Sequence, residues 1–459
     1  MPPPGGESRE TAGTVPPIVL QGRIHAWTFK LKGWAGQPLF AKVFELVSGN
    51  FLNAVLGAIL GIYVARILGP DDKGVLALIV GSTGLLTMVF GLGTPHAASY
   101  FIRKKPETAR SIFFYMDLSQ AAGTMLALGL VLTGGDFFTK LFLDGHHLES
   151  FVLWLVIGSI ATGSGYAMFG SCVIARGDSR RFAGISLFAT VLNLLLAFCL
   201  LSIFPQKLRM VLLASFLGQA AAYFLYRRKC AEYIPASGGS KLSVLEFFMF
   251  GSKVQIGSLS NLFFKRADLF ILGFYLDVAA VGYYSIGLSL RELATIIPRS
   301  LSGIVGGELA DAAVPPERKA KLLKRSLAGA TVFSTALAGV CTLAFPIVIP
   351  LLYTESFRPA VLASILLMWS FIPFSAAIIL GAALTAAGKP LAWSLGNTIS
   401  ACIAGLSVWS LTRSHGLLGA GVAAIVGTSV QLAICAGIYF LSAPKRDMLP
   451  SHPKPPMEP

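Results

Sequence analysis

The feature that most constrains the fold of this chain is a series of about twelve apolar segments, joined by loops whose positive charge alternates along the sequence. A membrane-spanning helix needs about 20 mostly apolar residues. The chain is 54% hydrophobic and only 13% charged, whereas soluble proteins carry roughly 25% charged residues. The sequence therefore predicts an all-α polytopic membrane protein. Its predicted segments are 43–66, 75–101, 111–133, 151–174, 183–204, 210–226, 244–276, 279–303, 326–352, 361–384, 391–412 and 417–441.

The distribution of Lys and Arg orients these segments. Of the 37 Lys and Arg residues, 25 fall in the two terminal tails and in alternate loops, and only 7 fall in the remaining loops and adjoining segment ends. Because cytoplasmic loops carry the excess of positive charge, both termini are expected in the cytoplasm. The net charge of +15 then faces anionic membrane lipids, so nucleic acid is not an expected partner.

The chain divides into two predicted bundles with tails on either side. Residues 1–42 form a tail in which Ile24, Trp27, Leu31 and Trp34 recur at helical spacing, as in a helix lying on the inner membrane face. A six-helix bundle at 43–226 and another at 244–441 are joined by a linker at 227–243, and 442–459 form the second tail.

A weak internal repeat supports two halves. Residues 48–63 align without gaps on 260–275, with six identical positions, and a glycine begins the next helix in each copy, at Gly74 and Gly282. Both copies start on the same side of the membrane. We therefore expect two six-helix halves that are related by an axis along the membrane normal, as in several transporter folds.

Charges within the segments indicate where a ligand binds, because a charge at membrane depth is costly and usually faces a cavity or a partner. Phosphate and diphosphate are held well by Arg and Lys. The candidate binding cations are Lys253, Lys265, Arg266 and Arg291, with Asn261 on the helix face of the two lysines. The candidate supporting acids are Asp117, Asp268 and Glu292. Internal pairing of Arg266 with Asp268, of Arg291 with Glu292, or between helices is the alternative, and Arg299 is interpreted as an anchor at the inner face.

The sequence does not predict a metal or a cofactor. The six cysteines are scattered without CxxC spacing, and Asp71-Asp72 lie in a Gly-Pro-Asp-Asp turn that is too short for a glycosyltransferase site. No P-loop, HExxH, GxSxG or Rossmann pattern stands in a sequence context that fits its function. ATP-driven transport is therefore not encoded in these residues.

Short motifs in both halves occur in an order and spacing that can be compared with those of a known family. They are residues 60–74 and 91–93 in the first half, and Asn261, 266–268, 282–285, 346–353, Phe357, 359–360 and 388–389 in the second. Over about residues 39–442 the chain resembles the polysaccharide biosynthesis membrane proteins, which are oligosaccharidyl-lipid flippases of the MATE/MOP superfamily. Two positions depart from the family pattern: Lys73 replaces an aromatic residue, and Gly91 stands where relatives often have an acid.

The resemblance implies twelve helices in two MATE/MOP-like bundles around a cavity that opens alternately to each side. It also implies a polyprenyl-diphosphate-linked oligosaccharide as cargo, moved across the bacterial inner membrane for O-antigen, lipopolysaccharide or exopolysaccharide assembly. Arg266, Lys265, Lys253 and Arg291 would hold the diphosphate, and Arg66 would guide its release. A polysaccharide polymerase and glycosyltransferases are the expected protein partners.

Two other functions stay open. A MATE-like drug or cation antiporter would need acids in its cavity, whereas this sequence places mainly cations there. A polytopic polymerase or glycosyltransferase would tend to need a large outer loop, and the longest predicted outer loop covers only about residues 134–150.

Overall fold

The computed structural model describes residues 38–142, 149–234, 242–311 and 314–442, and within these ranges the chain forms α-helices and two short 3-10 turns but no β-strand. The prediction of an all-α chain is confirmed. The predicted inner-face helix of the first tail, the centre of the linker and the second tail lie outside the described residues. The helices are α1 Pro38–Phe90, α2 Thr94–Lys104, α3 Ala109–Phe142, α4 Ser150–Ala175, α5 Ser179–Ile203, α6 Lys207–Ala231, α7 Val244–Tyr275, α8 Val278–Ala310, α9 Pro316–Tyr353, α10 Ala360–Ala386 and α11 Pro390–Ser442.

The two longest helices, α1 and α11, are each broken at a glycine. Gly69 has φ 75° and Gly416 has φ 58°, a left-handed conformation that glycine adopts without strain. Pro70 follows Gly69 and has no N–H to donate to the preceding turn. The break divides α1 into a first arm, residues 38–68, and a second arm, residues 70–90. A third break, at residues 91–93, separates α1 from α2.

Seven helical stretches of the described chain are long and apolar enough to cross a membrane. Two of them, Phe51–Phe90 and Trp393–Leu441, contain the glycine breaks and have 40 and 49 residues. At 1.5 Å per residue, each would extend about 60 Å or more if straight, which is about twice the thickness of the hydrocarbon core. The chain is an integral membrane protein, and the count of twelve crossings stays a prediction.

Packing contacts bring the first and second halves of the chain together along α1. In the first half, α4 and α5 pack against α6, and α1 packs against α5. In the second half, α10 packs against α8, α9 and α11. The two halves meet where α1 packs on α8 and where α2 packs on α7. The exact division into bundles at 43–226 and 244–441 stays a prediction.

Candidate functional site

A cleft lies between the first arm of α1 and α8, and we call it the central cleft. Its volume is about 460 Å³, within the range of about 300–1,000 Å³ that is usual for small-molecule sites. Ala54, Gly57, Ala58 and Gly61 recur at helical spacing, so one face of the first arm is made of small residues that leave room for the cleft. A Cβ added to Gly57 or Gly61 would meet no heavy atom within 4 Å.

Apolar packing closes one end of the central cleft. Ile62 and Ala65, near the end of the first arm, belong to a cluster with Tyr283 and Ile286 of α8 and with Tyr353 of α9. From this closed end the lining continues along α8 from Ile286 to Arg299, a distance of about 20 Å on a helix. A cavity of this length at the junction of two helix groups has room for an extended polar headgroup.

Three charged residues line the central cleft. Lys73 reaches it from the second arm of α1, and Glu292 and Arg299 reach it from α8. Sequence reasoning missed Lys73, which was noted only as a departure from a family pattern, and it interpreted Arg299 as an anchor at the inner face. The sequence did contain a signal for Lys73, because it is a cation close to the Gly69-Pro70 break. A break there can turn the second arm so that Lys73 faces the cleft.

The predicted binding residue Arg266 does not line the central cleft itself but forms an ion pair with Glu292, which does. Its Nη2 donates to Oε1 of Glu292 at 3.0 Å, which joins α7 to α8. The pairing is therefore between helices, and the Arg266–Asp268 and Arg291–Glu292 pairs considered from the sequence are not the ones formed. The Arg266 side chain is 33% exposed. A guanidinium has five N–H donors, and the bond to Glu292 uses one of them.

Asp268 and Arg291 occupy a more enclosed place behind this pair. Asp268 is buried and accepts hydrogen bonds from the Tyr284 hydroxyl and the Leu269 amide, both at 2.9 Å. Nη1 of Arg291 donates to Oγ of Ser370 at 3.0 Å, which connects α8 to α10. Both side chains line a small cavity of about 30 Å³. That volume is far too small for a lipid headgroup, so their contacts hold helices together.

The structure does not gather the remaining candidates at the central cleft. Lys253 is exposed on α7, and Arg66 is exposed near the end of the first arm. Asn261 and Lys265 lie on α7, but their side chains are outside the described part of the structure. Asp117 of α3 accepts from both Nη1 and Nη2 of Arg227 on α6, at 2.8 and 3.0 Å.

Basic loops and helix ends gather at one end of the described helices, which we call the basic face. Its members include Arg103, Lys105, Arg181, Arg227 and Lys229, and the acidic partners there include Asp117, Asp178, Glu232 and Glu246. A hydrogen bond from Lys229 lowers the pKa of Glu232 below its usual range. Burial raises the pKa of Tyr233 to about 12. The sequence assigns these loops to the cytoplasmic side, and that assignment stays a prediction.

Within the described ranges, no three His, Cys, Asp or Glu side chains lie close enough together to hold a metal ion. The charged and hydroxyl side chains that line the central cleft are Lys73, Glu292, Arg299 and Ser289, together with the Tyr353 phenol. Ammonium and guanidinium groups lining a cavity bind anions such as phosphate.

Comparison with known proteins identifies the family. Residues 39–307 match the profile described as "Polysaccharide biosynthesis protein". The chain belongs to this family. The match covers more than half of the sequence and includes α1 to most of α8, which together form the central cleft. No curated protein matches this family member in sequence.

Solved structures show the fold of this polysaccharide biosynthesis protein. The lipid II flippase MurJ in an inward closed conformation aligns with a TM-score of 0.67 at 14% identity, over 86% of this chain and 87% of that one. The eukaryotic MATE transporter AtDTX14 aligns with a TM-score of 0.62 at 16% identity, over 88% and 95%. A Vibrio cholerae MATE transporter, VcmN, aligns with a TM-score of 0.61 at 13% identity, over 87% and 96%. This chain therefore has the fold that these MATE transporters and the lipid II flippase share.

Proposed function

We propose that this protein is a flippase that moves a polyprenyl-diphosphate-linked oligosaccharide across the bacterial inner membrane for cell-surface polysaccharide assembly. The observation that carries the proposal is the central cleft, which is lined by Lys73 and Arg299 and by Glu292, the ion-pair partner of Arg266. A diphosphate is a compact anion that accepts several hydrogen bonds, and ammonium and guanidinium groups donate them. The family and the fold shared with a lipid II flippase support the same function.

Pairing of Arg266 with Glu292 suits a site that must both bind and release its cargo. Without a partner, a guanidinium at membrane depth would be costly. The carboxylate of Glu292 compensates that charge between transport events, and it is itself 53% exposed along its side chain. An incoming diphosphate competes with Glu292 for Arg266. In this proposal the pair separates on binding and reforms on release, and Arg66 guides the cargo out.

The MATE-like drug or cation antiporter is the second candidate. Such a protein needs acids that face its cavity, and Glu292 is the acid that the described lining of the central cleft contains. Asp117 is engaged by Arg227, and Asp268 is buried on Tyr284. A polymerase or glycosyltransferase is the third candidate, and the described helices leave it no inserted soluble domain. The cationic lining favours the flippase.

Complementation tests the proposal. This chain is expressed in a bacterial strain that lacks its own oligosaccharide-lipid flippase, and surface polymer is measured beside the amount of protein in the membrane. We expect the wild type to restore polymer and Arg266→Ala to fail at equal membrane abundance. Rescue by both would keep the function and remove Arg266 from the site. No rescue across several strains with different sugar repeats, together with drug or cation efflux, would overturn the flippase in favour of the antiporter.

A further inference from the structure

A second cavity lies within the first half of the chain, and we call it the polar cavity. Its volume is about 540 Å³, and it is enclosed by both arms of α1 and by α4, α5 and α6. The described side chains around it include no Asp, Glu, Lys or Arg. Its polar members are amides and hydroxyls: Asn53, Thr83, Thr87, Ser159, Tyr166, Ser186, Thr190, Asn193, Ser215 and Gln219.

Several of these groups have hydrogen-bonding capacity that the protein leaves unused. Nδ2 of Asn53 donates to Oγ of Ser186 at 3.0 Å, and the Tyr166 hydroxyl lies 3.4 Å from the same Oγ. The amide oxygens Oδ1 of Asn53 and Oδ1 of Asn193 are buried, yet they accept no hydrogen bond from the described residues. Burying an acceptor without a donor costs about 1–3 kcal/mol. Because these two oxygens are shielded, the groups that a ligand in the cavity can reach are the remaining hydroxyls and amide groups of the lining.

The polar cavity and the central cleft meet at Gly57. This residue of the first arm lines both, and a Cβ there would meet no heavy atom within 4 Å. A ligand can therefore place an anionic group beside one of the two cations, Lys73 or Arg299, while its uncharged part extends past Gly57. A sugar diphosphate has this division, with its charge on the phosphates and its hydroxyls on the ring.

From these observations we infer that the polar cavity binds the uncharged sugars of the cargo, so that the protein selects neutral glycans over acidic ones. The inference rests on the proposed function, because it assigns the sugar part of the same cargo. Sugar hydroxyls both donate and accept, as do the amides and hydroxyls of this lining. A uronate would bring an unpaired carboxylate into a cavity whose described lining has no cation, and burying an unpaired charge is far more costly than burying a hydroxyl.

Binding of three synthetic lipids to the purified full-length protein tests the inference. The probes are a polyprenyl diphosphate, the same lipid carrying one N-acetylglucosamine, and the same lipid carrying one glucuronic acid, compared by native mass spectrometry. We expect N-acetylglucosamine to strengthen binding about fivefold or more over the bare lipid. We expect glucuronic acid to give no such gain. Equal binding of the bare and the N-acetylglucosamine lipids, or tighter binding of the glucuronic acid lipid, would overturn the inference.

Asn193→Leu then locates the selectivity. Because Oδ1 of Asn193 accepts no hydrogen bond from the described protein, its removal strands no donor of the described lining. We expect the variant to bind the bare lipid as the wild type does and to lose the gain from N-acetylglucosamine. A retained gain would place the sugar elsewhere. If none of the three lipids binds the wild type, the proposed function itself fails, and this result is distinct from equal binding of all three.

Discussion

Gly74 and Gly282 lie against each other where the second arm of α1 crosses the start of α8. A Cβ on Gly282 would come 3.2 Å from the amide nitrogen of Gly74 and would overlap the carbonyl oxygen of Pro70. A Cβ on Gly74 would overlap the carbonyl oxygen of Val278. Each glycine lies near the beginning of the helical stretch that follows one copy of the internal repeat. The two halves therefore touch backbone to backbone at this crossing.

The contact predicts that Gly282→Ala is destabilising. The clashing atom is a backbone carbonyl rather than the end of a flexible side chain, so α8 must shift away from α1. Overpacking of this kind costs typically about 1–3 kcal/mol. The measurement is thermal unfolding of the purified protein in detergent. Gly303→Ala on the same helix is the control, because a Cβ there meets nothing within 4 Å and alanine favours helix over glycine. Equal melting temperatures for the two variants would contradict the close contact.

Much of this fold is predictable from sequence, because the length of an apolar run and the position of a glycine determine where a helix begins, ends or breaks without information from distant residues. The predicted segment 151–174 agrees within one residue at each end with α4, Ser150–Ala175. The predicted segment 244–276 agrees equally well with α7, Val244–Tyr275. Both ends follow from where apolar residues give way to polar ones. The breaks at Gly69 and Gly416 needed no long-range information either, since each lies between two apolar runs that together exceed one crossing.

The site was less predictable, because pairing between helices depends on their relative rotation. The sequence places Glu292 beside Arg291, but adjacent residues of one helix point in different directions. In the structure Glu292 faces the central cleft and pairs with Arg266, while Arg291 turns toward Ser370. The polar cavity was not predictable from the sequence for a different reason. Asn53, Asn193 and Gln219 are uncharged, so single polar residues on three separate segments gave no cluster in the sequence.

The hydrogen bond from Tyr284 to Asp268 predicts a stability difference between two neighbouring tyrosines. Tyr284→Phe removes a donor from a buried carboxylate, which should cost about 1–3 kcal/mol, or more where the acceptor is charged. Tyr283→Phe alters the adjacent, half-buried ring by the same single oxygen and serves as the control. Thermal unfolding should show a lower melting temperature for Tyr284→Phe alone. If Tyr283→Phe were equally destabilising, the loss would not come from Asp268.

The Arg266–Glu292 pair predicts that neutral substitutions of its two members differ in their effect on anion binding. Arg266→Gln removes the positive charge and should weaken binding of polyprenyl diphosphate by roughly tenfold or more, as expected for the loss of a charge-assisted hydrogen bond. Glu292→Gln removes the competitor of the diphosphate and should leave binding unchanged or tighter. Arg358→Gln is the control, since its 76% exposed side chain pairs only with neighbouring Glu355 in the described structure. Weaker binding in Glu292→Gln would indicate that the pair is structural.

The Asp117–Arg227 pair predicts that transport does not depend on Asp117. Both side chains are well exposed, at 39% and 46%, and exposed ion pairs are worth only about 0–1 kcal/mol. Asp117→Asn should therefore restore surface polymer in the flippase-deficient strain to the wild-type level. A MATE-like antiporter would need such an acid for cation or proton coupling. Loss of export in Asp117→Asn at normal membrane abundance would favour the antiporter.

The open space at Gly57 predicts that a larger side chain there blocks transport without unfolding the protein. In Gly57→Leu the new side chain enters the junction between the central cleft and the polar cavity, where a Cβ meets no heavy atom within 4 Å. Leucine also favours helix over glycine by several tenths of a kcal/mol. Export should therefore fall strongly while the melting temperature stays equal or rises. Gly329→Leu, at an exposed and equally open glycine of α9, should keep both properties. Normal export by Gly57→Leu would show that cargo does not pass between the two cavities.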